Sequence, residues 1–266
     1  MKSGGKKKHY AQHSRTGRSY TGAAQFVYLH TVVFEYSFEL RYSLHIARLA
    51  QLVEHLIDVE RVAGSNPASR TMHETQPIIL YHGDCLDGFS AAYAAWKKFG
   101  DDARYIPLER GGALPEGLDD RDLYFLDFTY ERKDMDHFVR IARSVTVLDH
   151  HSGVREVTEA MPQFVFDNNR SGAVIAWNYF HPDVPVPSLL SHIQDDDIFT
   201  YALEDTRAII CYLSVQEFTF SSWDKMVALL ENPDTRETFL RTARIYAEYF
   251  ELLAALAVEK AKLISF

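Results

Sequence analysis

The chain has 266 residues, 47% hydrophobic and 13% aromatic, ample for a packed core in one large domain or two modest ones. Its formal net charge of -9 excludes a surface built for duplex DNA, since binding the phosphate backbone needs clustered Lys and Arg to displace counterions. Cys85 and Cys211 are too few for a disulfide framework and too far apart for a structural zinc motif, and no run approaches the roughly 20 apolar residues of a membrane span; the expectation is a soluble, cytoplasmic protein.

Two compositions are joined near Met72. Residues 1–71 carry ten Lys and Arg against five Asp and Glu, and residues 72–266 carry eighteen against thirty-two, so the net charge switches from +5 to -14. The opening Met1 to Lys8 is basic but does not lead into the apolar core of a signal peptide. An aromatic-rich stretch, Phe26 to Tyr42, precedes an amphipathic helical period from Ile46 to Val62, which ends in the loop Gly64-Ser65-Asn66-Pro67. The segment from Ala47 to Arg70 resembles a peptide that recurs when the wrong strand of a transfer-RNA gene is translated. That resemblance implies a poorly structured extension over 1–71 and a natural start at Met72; the alternative is a genuine helical arm packed on a domain.

From Pro77 onward short apolar runs alternate with helical periods, the sequence form of a parallel α/β sheet flanked by helices. Ile78 to Tyr81 reads as a buried strand, after which Phe89, Tyr93 and Trp96 recur at helical spacing. Arg104 to Ile106 and Leu123 to Leu126 are the next strands. A helix is expected from Thr129 with Met135, Phe138, Val139 and Ala142 on one face. Val145 to Leu148 is a fourth strand and Phe164 to Phe166 a fifth. Ser171 opens a helix that buries Ala173, Val174, Trp177 and Phe180, and beyond Pro187 the pattern is helical, ending in a long segment from about Asp234 to Leu263.

Ligands of open parallel sheets bind beyond the carboxyl ends of the strands, so the residues just past each apolar run matter more than the run itself. The first strand delivers His82, Asp84 and Asp87, the third Asp127, and the fourth Asp149, His150 and His151; Asp195-Asp196-Asp197 ends a helical segment. One carboxylate after a strand is most simply a cap or turn residue. Acids and histidines after three strands, without a thiolate cluster, suit a hard or borderline divalent ion such as Mn2+ or Mg2+. Carboxylates gathered without Lys repel one another unless cations lie between them, which favours two ions.

Asp149-His150-His151 after an apolar strand, with His82 to Gly88, Asp127 and Asp195, resembles the four motifs of the DHH phosphoesterase superfamily, over roughly Ile78 to Phe199. The resemblance implies Asp127 as a carboxylate bridging two ions, with His82 and the acidic loop including Asp84 on one, and Asp87, His150 and Asp195 on the other, with Asp197 the alternative to Asp195. It implies Asp149 as a loop-ordering residue and His151 as a catalytic residue facing the substrate phosphate. One position departs from the pattern. The family places two aspartates, one residue apart, after its histidine, and Cys85 occupies the first place when Asp87 is aligned to the second; either Asp84 substitutes from next door or one metal site is altered.

The implied activity is hydrolysis of a phosphoester of a small nucleotide or a short single-stranded oligonucleotide by a water activated between two ions. Alternatives are a pyrophosphate or polyphosphate hydrolase and a degenerate nucleotide-binding module. Arg170, Ser171 and Gly172 open a helix whose free N–H groups and guanidinium suit a phosphate, with Ser171 as a plain N-cap the competing reading. Trp96 and Trp177 fall on apolar faces as core residues. The expected organisation is a phosphoesterase domain over 72–232 and a linker helix over 233–266, leading to a substrate-binding domain beyond Phe266 that this sequence does not contain.

Overall fold

The computed structural model describes residues 76–83 and 85–260. The extension expected over 1–71, the helical period inside it, Asp84 and the last six positions, 261–266, lie outside the described residues.

Five short strands, β1 (Ile78–His82), β2 (Arg104–Leu108), β3 (Asp122–Leu126), β4 (Ser144–Asp149) and β5 (Gln163–Phe166), form one parallel sheet in the order β2-β1-β3-β4-β5. Its helices are α1 (Leu86–Phe99), α2 (Arg132–Ile141), the single turn α3 (Arg155–Thr158) and α4 (Gly172–Phe180). A helical segment comes after them: α5 (Ser188–Asp197), α6 (Thr206–Leu213), α7 (Phe220–Glu231) and α8 (Pro233–Lys260). The expected α/β class is therefore the observed one.

The central strands β1, β3 and β4 are largely apolar on both faces because both faces are covered, whereas the edge strands β2 and β5 are partly exposed. Ile78, Leu80, Leu123, Phe125, Val145 and Val147 pack with Met135 and Phe138 of α2 in one core. Ile79, Tyr81, Leu126 and Leu148 point the other way, into a larger core with α1, α4 and the later helices. The period-two alternation assigns each residue to its layer. Register carries it across the sheet, with Leu80 opposite Ile106 and Phe125, and Phe125 opposite Val147. Trp177 and Trp223 are buried, and each finds an acceptor for its indole N–H, Val184 O at 3.1 Å and Ser90 Oγ at 2.9 Å. Trp96 is half-buried and stacks on Tyr93 and Phe220.

The second helix differs from its expectation. It starts at Arg132 with Glu131 as N-cap, Val139 is exposed and Ala142 lies past its end, so Met135 and Phe138 alone are fully buried. Thr129 is kept out of the helix because its hydroxyl is committed to the Asp149 carboxylate.

After β1 the chain runs outward to the edge strand β2, then returns to place β3 on the other side of β1. The crevice at this switch, beyond the ends of β1 and β3, is where an open α/β sheet presents a ligand site. Two glycines let backbone approach it. A Cβ on Gly88 would stand 2.2 Å from His82 O, and one on Gly172 would stand 2.6 Å from Asp127 Cβ. Among the described residues no helix is long and apolar enough to cross a membrane.

Candidate metal centre

The switch-point crevice gathers side chains from five elements. His82 ends β1, Cys85 and Asp87 lie at the start of α1, Asp127 comes directly after β3, His150 and His151 directly after β4, and Asp197 closes α5. Asp127 is in the left-handed backbone region, with φ +56°, while its N–H still bonds Leu148 O at 2.8 Å. An Asp tolerates that conformation better than most residues, and it turns the carboxylate off the sheet into the crevice.

His150 Nε2 sits 3.2 Å from Asp127 Oδ1, 3.5 Å from Asp197 Oδ2 and 3.7 Å from Asp87 Oδ2. On the other side, His82 Nδ1 lies 3.5 Å from Asp127 Oδ2. Three sets of ligand atoms lie within 4.8 Å of one another: His82, Cys85 and Asp127; Asp127, His150 and His151; Asp87, His150 and Asp197. Among the described residues, the buried side-chain polar atoms without a hydrogen-bond partner are His82 Nδ1, Asp127 Oδ1 and Oδ2, His150 Nε2 and Asp197 Oδ2. All five belong to this crevice.

The electrostatics express a demand for positive charge. Burial and the charges of Asp127 and Asp197 push the Asp87 carboxyl well above the ordinary range, and burial, chiefly, lifts Asp197 to about 6. Burial disfavours a charged His150, yet Asp127, Asp87 and Asp197 around it raise its pKa to about 9. Burial would also raise Asp127, but His150 and His82 hold it below its usual value. Among the described residues no Lys or Arg forms an ion pair with Asp87, Asp127 or Asp197. Cations bound between these carboxylates would meet that demand, and the imidazole and carboxylate donors fit divalent ions.

A second set of buried acids is fully occupied. Asp149 accepts from the backbone N–H of His150 and His151, from His151 Nδ1 at 2.8 Å and from the Thr129 hydroxyl. A carboxylate can only accept, so Nδ1 of His151 carries the proton and Nε2 is left for a substrate; the Asp149 bond raises the His151 pKa. Asp195 accepts from Thr200 Oγ1 and Ala202 N on one oxygen and from Leu203 N and Thr206 Oγ1 on the other, at 2.6–3.1 Å. Burial works against its charge, but these donors lower its pKa to about 2.

The structure thus brings together His82, Asp87, Asp127 and His150 of the expected ligands, places His151 at the rim, one-third exposed, and gives Asp149 its loop-ordering role. Asp84 lies outside the described residues. Asp195 is a correction. Its four donors leave no oxygen for a metal, and Asp197, two residues on and thus about 200° around the helix, enters the cluster instead. The expected phosphate cradle is a second correction. The N–H groups of Gly172 and Ala173 are taken by Asp87, at 2.6 and 3.0 Å. Ser171 is a buried N-cap accepting from Val174 N, and Arg170 pairs with Asp167. The helix N-terminus thus holds the carboxylate of Asp87 in place of a phosphate. Cys85 is the cluster member that the expected ligand set omits, with the displaced first motif its signal, and Asp197 is the alternative that the acidic triplet leaves open against Asp195.

No family model matches the chain. An uncharacterized protein of Acanthamoeba polyphaga mimivirus is 34% identical over 164 residues, 55% of this chain and 39% of the relative, so the chain spans well under half of that protein's length. The crystal structure of an uncharacterized protein from Helicobacter pylori G27 is similar with a TM-score of 0.49 and 12% identity, over 66% of this chain and 63% of that one.

Proposed function

We propose that the chain is a divalent-metal-dependent phosphoesterase of the DHH type that holds two ions and cleaves a phosphoester of a small nucleotide or short oligonucleotide. One observation carries this reading: the unpartnered buried polar atoms of the described residues converge on one crevice at the sheet's switch point. A buried polar group left unpaired costs roughly 1–3 kcal/mol. The His82 and His150 rings offset part of that cost as they face the Asp127 and Asp197 oxygens at 3.2–3.5 Å, without closing a hydrogen bond. Bound cations remove that cost.

Asp127 presents one oxygen towards His82 and the other towards His150, the geometry of a bridging carboxylate. His82 and Asp127 would hold one ion, and Asp87, Asp127, His150 and Asp197 the other. Two such ions supply a water of lowered pKa and neutralise charge on the phosphoryl oxygens. His151, held by Asp149 through Nδ1, would donate from Nε2 to a phosphate oxygen or leaving group in its doubly protonated form.

The test is hydrolysis of a generic phosphodiester, a phosphomonoester and pyrophosphate by the full chain with Mn2+ or Mg2+, with Asp127→Ala as control. Metal-dependent turnover of an ester that Asp127→Ala abolishes is the expected result. Bound metal with no turnover of any of the three would make the chain a binding module instead.

A further inference from the structure

We propose that Cys85 is a metal ligand beside His82 and Asp127, making the first half of the centre a nitrogen, sulfur and oxygen site for a borderline ion such as Zn2+ or Co2+ rather than Mn2+ or Mg2+. This rests on the metal-centre reading and deepens it.

The geometry comes first. The ligand atoms of His82, Cys85 and Asp127 lie within 4.8 Å of one another. Ligands at about 2.0–2.3 Å from a tetrahedral ion stand under about 4 Å apart, so small side-chain rotations close this shell. The two groups beside the thiol are independently marked as ligands: His82 Nδ1 and both oxygens of Asp127 are buried without a partner, and Asp127 is 1% exposed.

Cys85 also occupies the N-cap of α1 without making a cap hydrogen bond, where Ser, Thr, Asp or Asn would normally serve the helix. The backbone N–H of Gly88 faces its sulfur, an approach that a thiolate ligand would also accept.

The chemistry then separates the two halves. Asp87, Asp127, His150 and Asp197 offer three carboxylates and one imidazole, a hard set suited to Mn2+ or Mg2+. A thiolate in the other half shifts it towards softer ions. The thiol proton leaves to solvent as the metal–sulfur bond forms. The centre would then hold two different metals across the single bridging Asp127.

The experiment is a cobalt(II) titration of the full chain after chelator treatment, monitoring the near-ultraviolet thiolate-to-cobalt charge-transfer band together with bound cobalt. The band is expected in the wild type, unchanged in Cys211→Ser and absent in Cys85→Ser. Affinity at the first site should fall in Cys85→Ser by more than the roughly 10–100-fold that loss of an outer partner costs. Cys85→Asp, which supplies an oxygen donor, should keep both ions and turn the preference of that site from Zn2+ towards Mn2+ in competition dialysis. A band that survives in Cys85→Ser, cobalt bound without a band in the wild type, or an unchanged preference in Cys85→Asp overturns the proposal and leaves the metal centre standing. A wild-type chain that binds no cobalt overturns both.

Discussion

Asp195 and Asp197 sit two residues apart on the last turn of α5, and the structure treats them in opposite ways. Asp195 is enclosed by two hydroxyls and two backbone N–H groups, whereas Asp197 turns a buried oxygen with no hydrogen-bond partner towards His150. The same contrast separates Asp149, saturated by the turn it organises, from Asp127, whose two oxygens are bare. Residue type and burial do not separate the members of these two pairs, and the supply of protein donors does; Asp87, each of whose oxygens accepts one N–H, stands between the two kinds. A saturated acid holds a loop together, and a bare one waits for a cation.

This division can be broken by mutation, and the largest effect should come from the bare set. Asp127→Ala is expected to lower hydrolysis by more than about 10³-fold, since it strips the shared ligand from both ions. Bound divalent metal should fall with it, while the chelator-treated variant melts within a few degrees of chelator-treated wild type. Undiminished metal content would remove the bridge assignment. His151→Ala should keep its metal and lose turnover by roughly 10²–10⁴, the range for one acid–base or electrostatic group; metal loss there, with retention in His150→Ala, would show that the two histidines have exchanged roles.

The saturated set should respond in stability instead. Asp195→Asn keeps one acceptor but turns an amide donor against two of its four partners, at a cost of about 3 kcal/mol. That corresponds to about 6–12 °C in the melting temperature of a domain this size. A melting temperature equal to that of Asp197→Asn would erase the distinction between the two acids. Arg143→Ala, which removes an exposed pair with Asp122 at the far end of β3, should cost less than about 1 kcal/mol and leave metal binding unchanged.

Much of this architecture is legible in the sequence. The apolar runs at Ile78, Leu123 and Val145 mark the parallel strands, and the rule that ligands gather past strand ends selects His82, Asp87, Asp127 and His150. The features that stay hidden depend on hydrogen bonds between segments that no local pattern relates. Asp195 is excluded by Ala202, Leu203 and Thr206, on a loop and helix that no local pattern relates to it. The helix at Ser171 is closed to phosphate by Asp87, more than eighty residues earlier. The start of α2 lies later than its periodicity suggests because Thr129 answers to Asp149 rather than to its own helical neighbours.

The most direct test is a count of bound divalent metal per chain after dialysis against Mn2+ and Zn2+ together, on wild type, Asp195→Asn and Asp197→Asn. The expectation is two ions in the wild type, two in a folded Asp195→Asn and one in Asp197→Asn. A wild type that retains none, or an Asp197→Asn that keeps both ions while a folded Asp195→Asn loses one, would contradict the assignment of the bare acids as the metal centre.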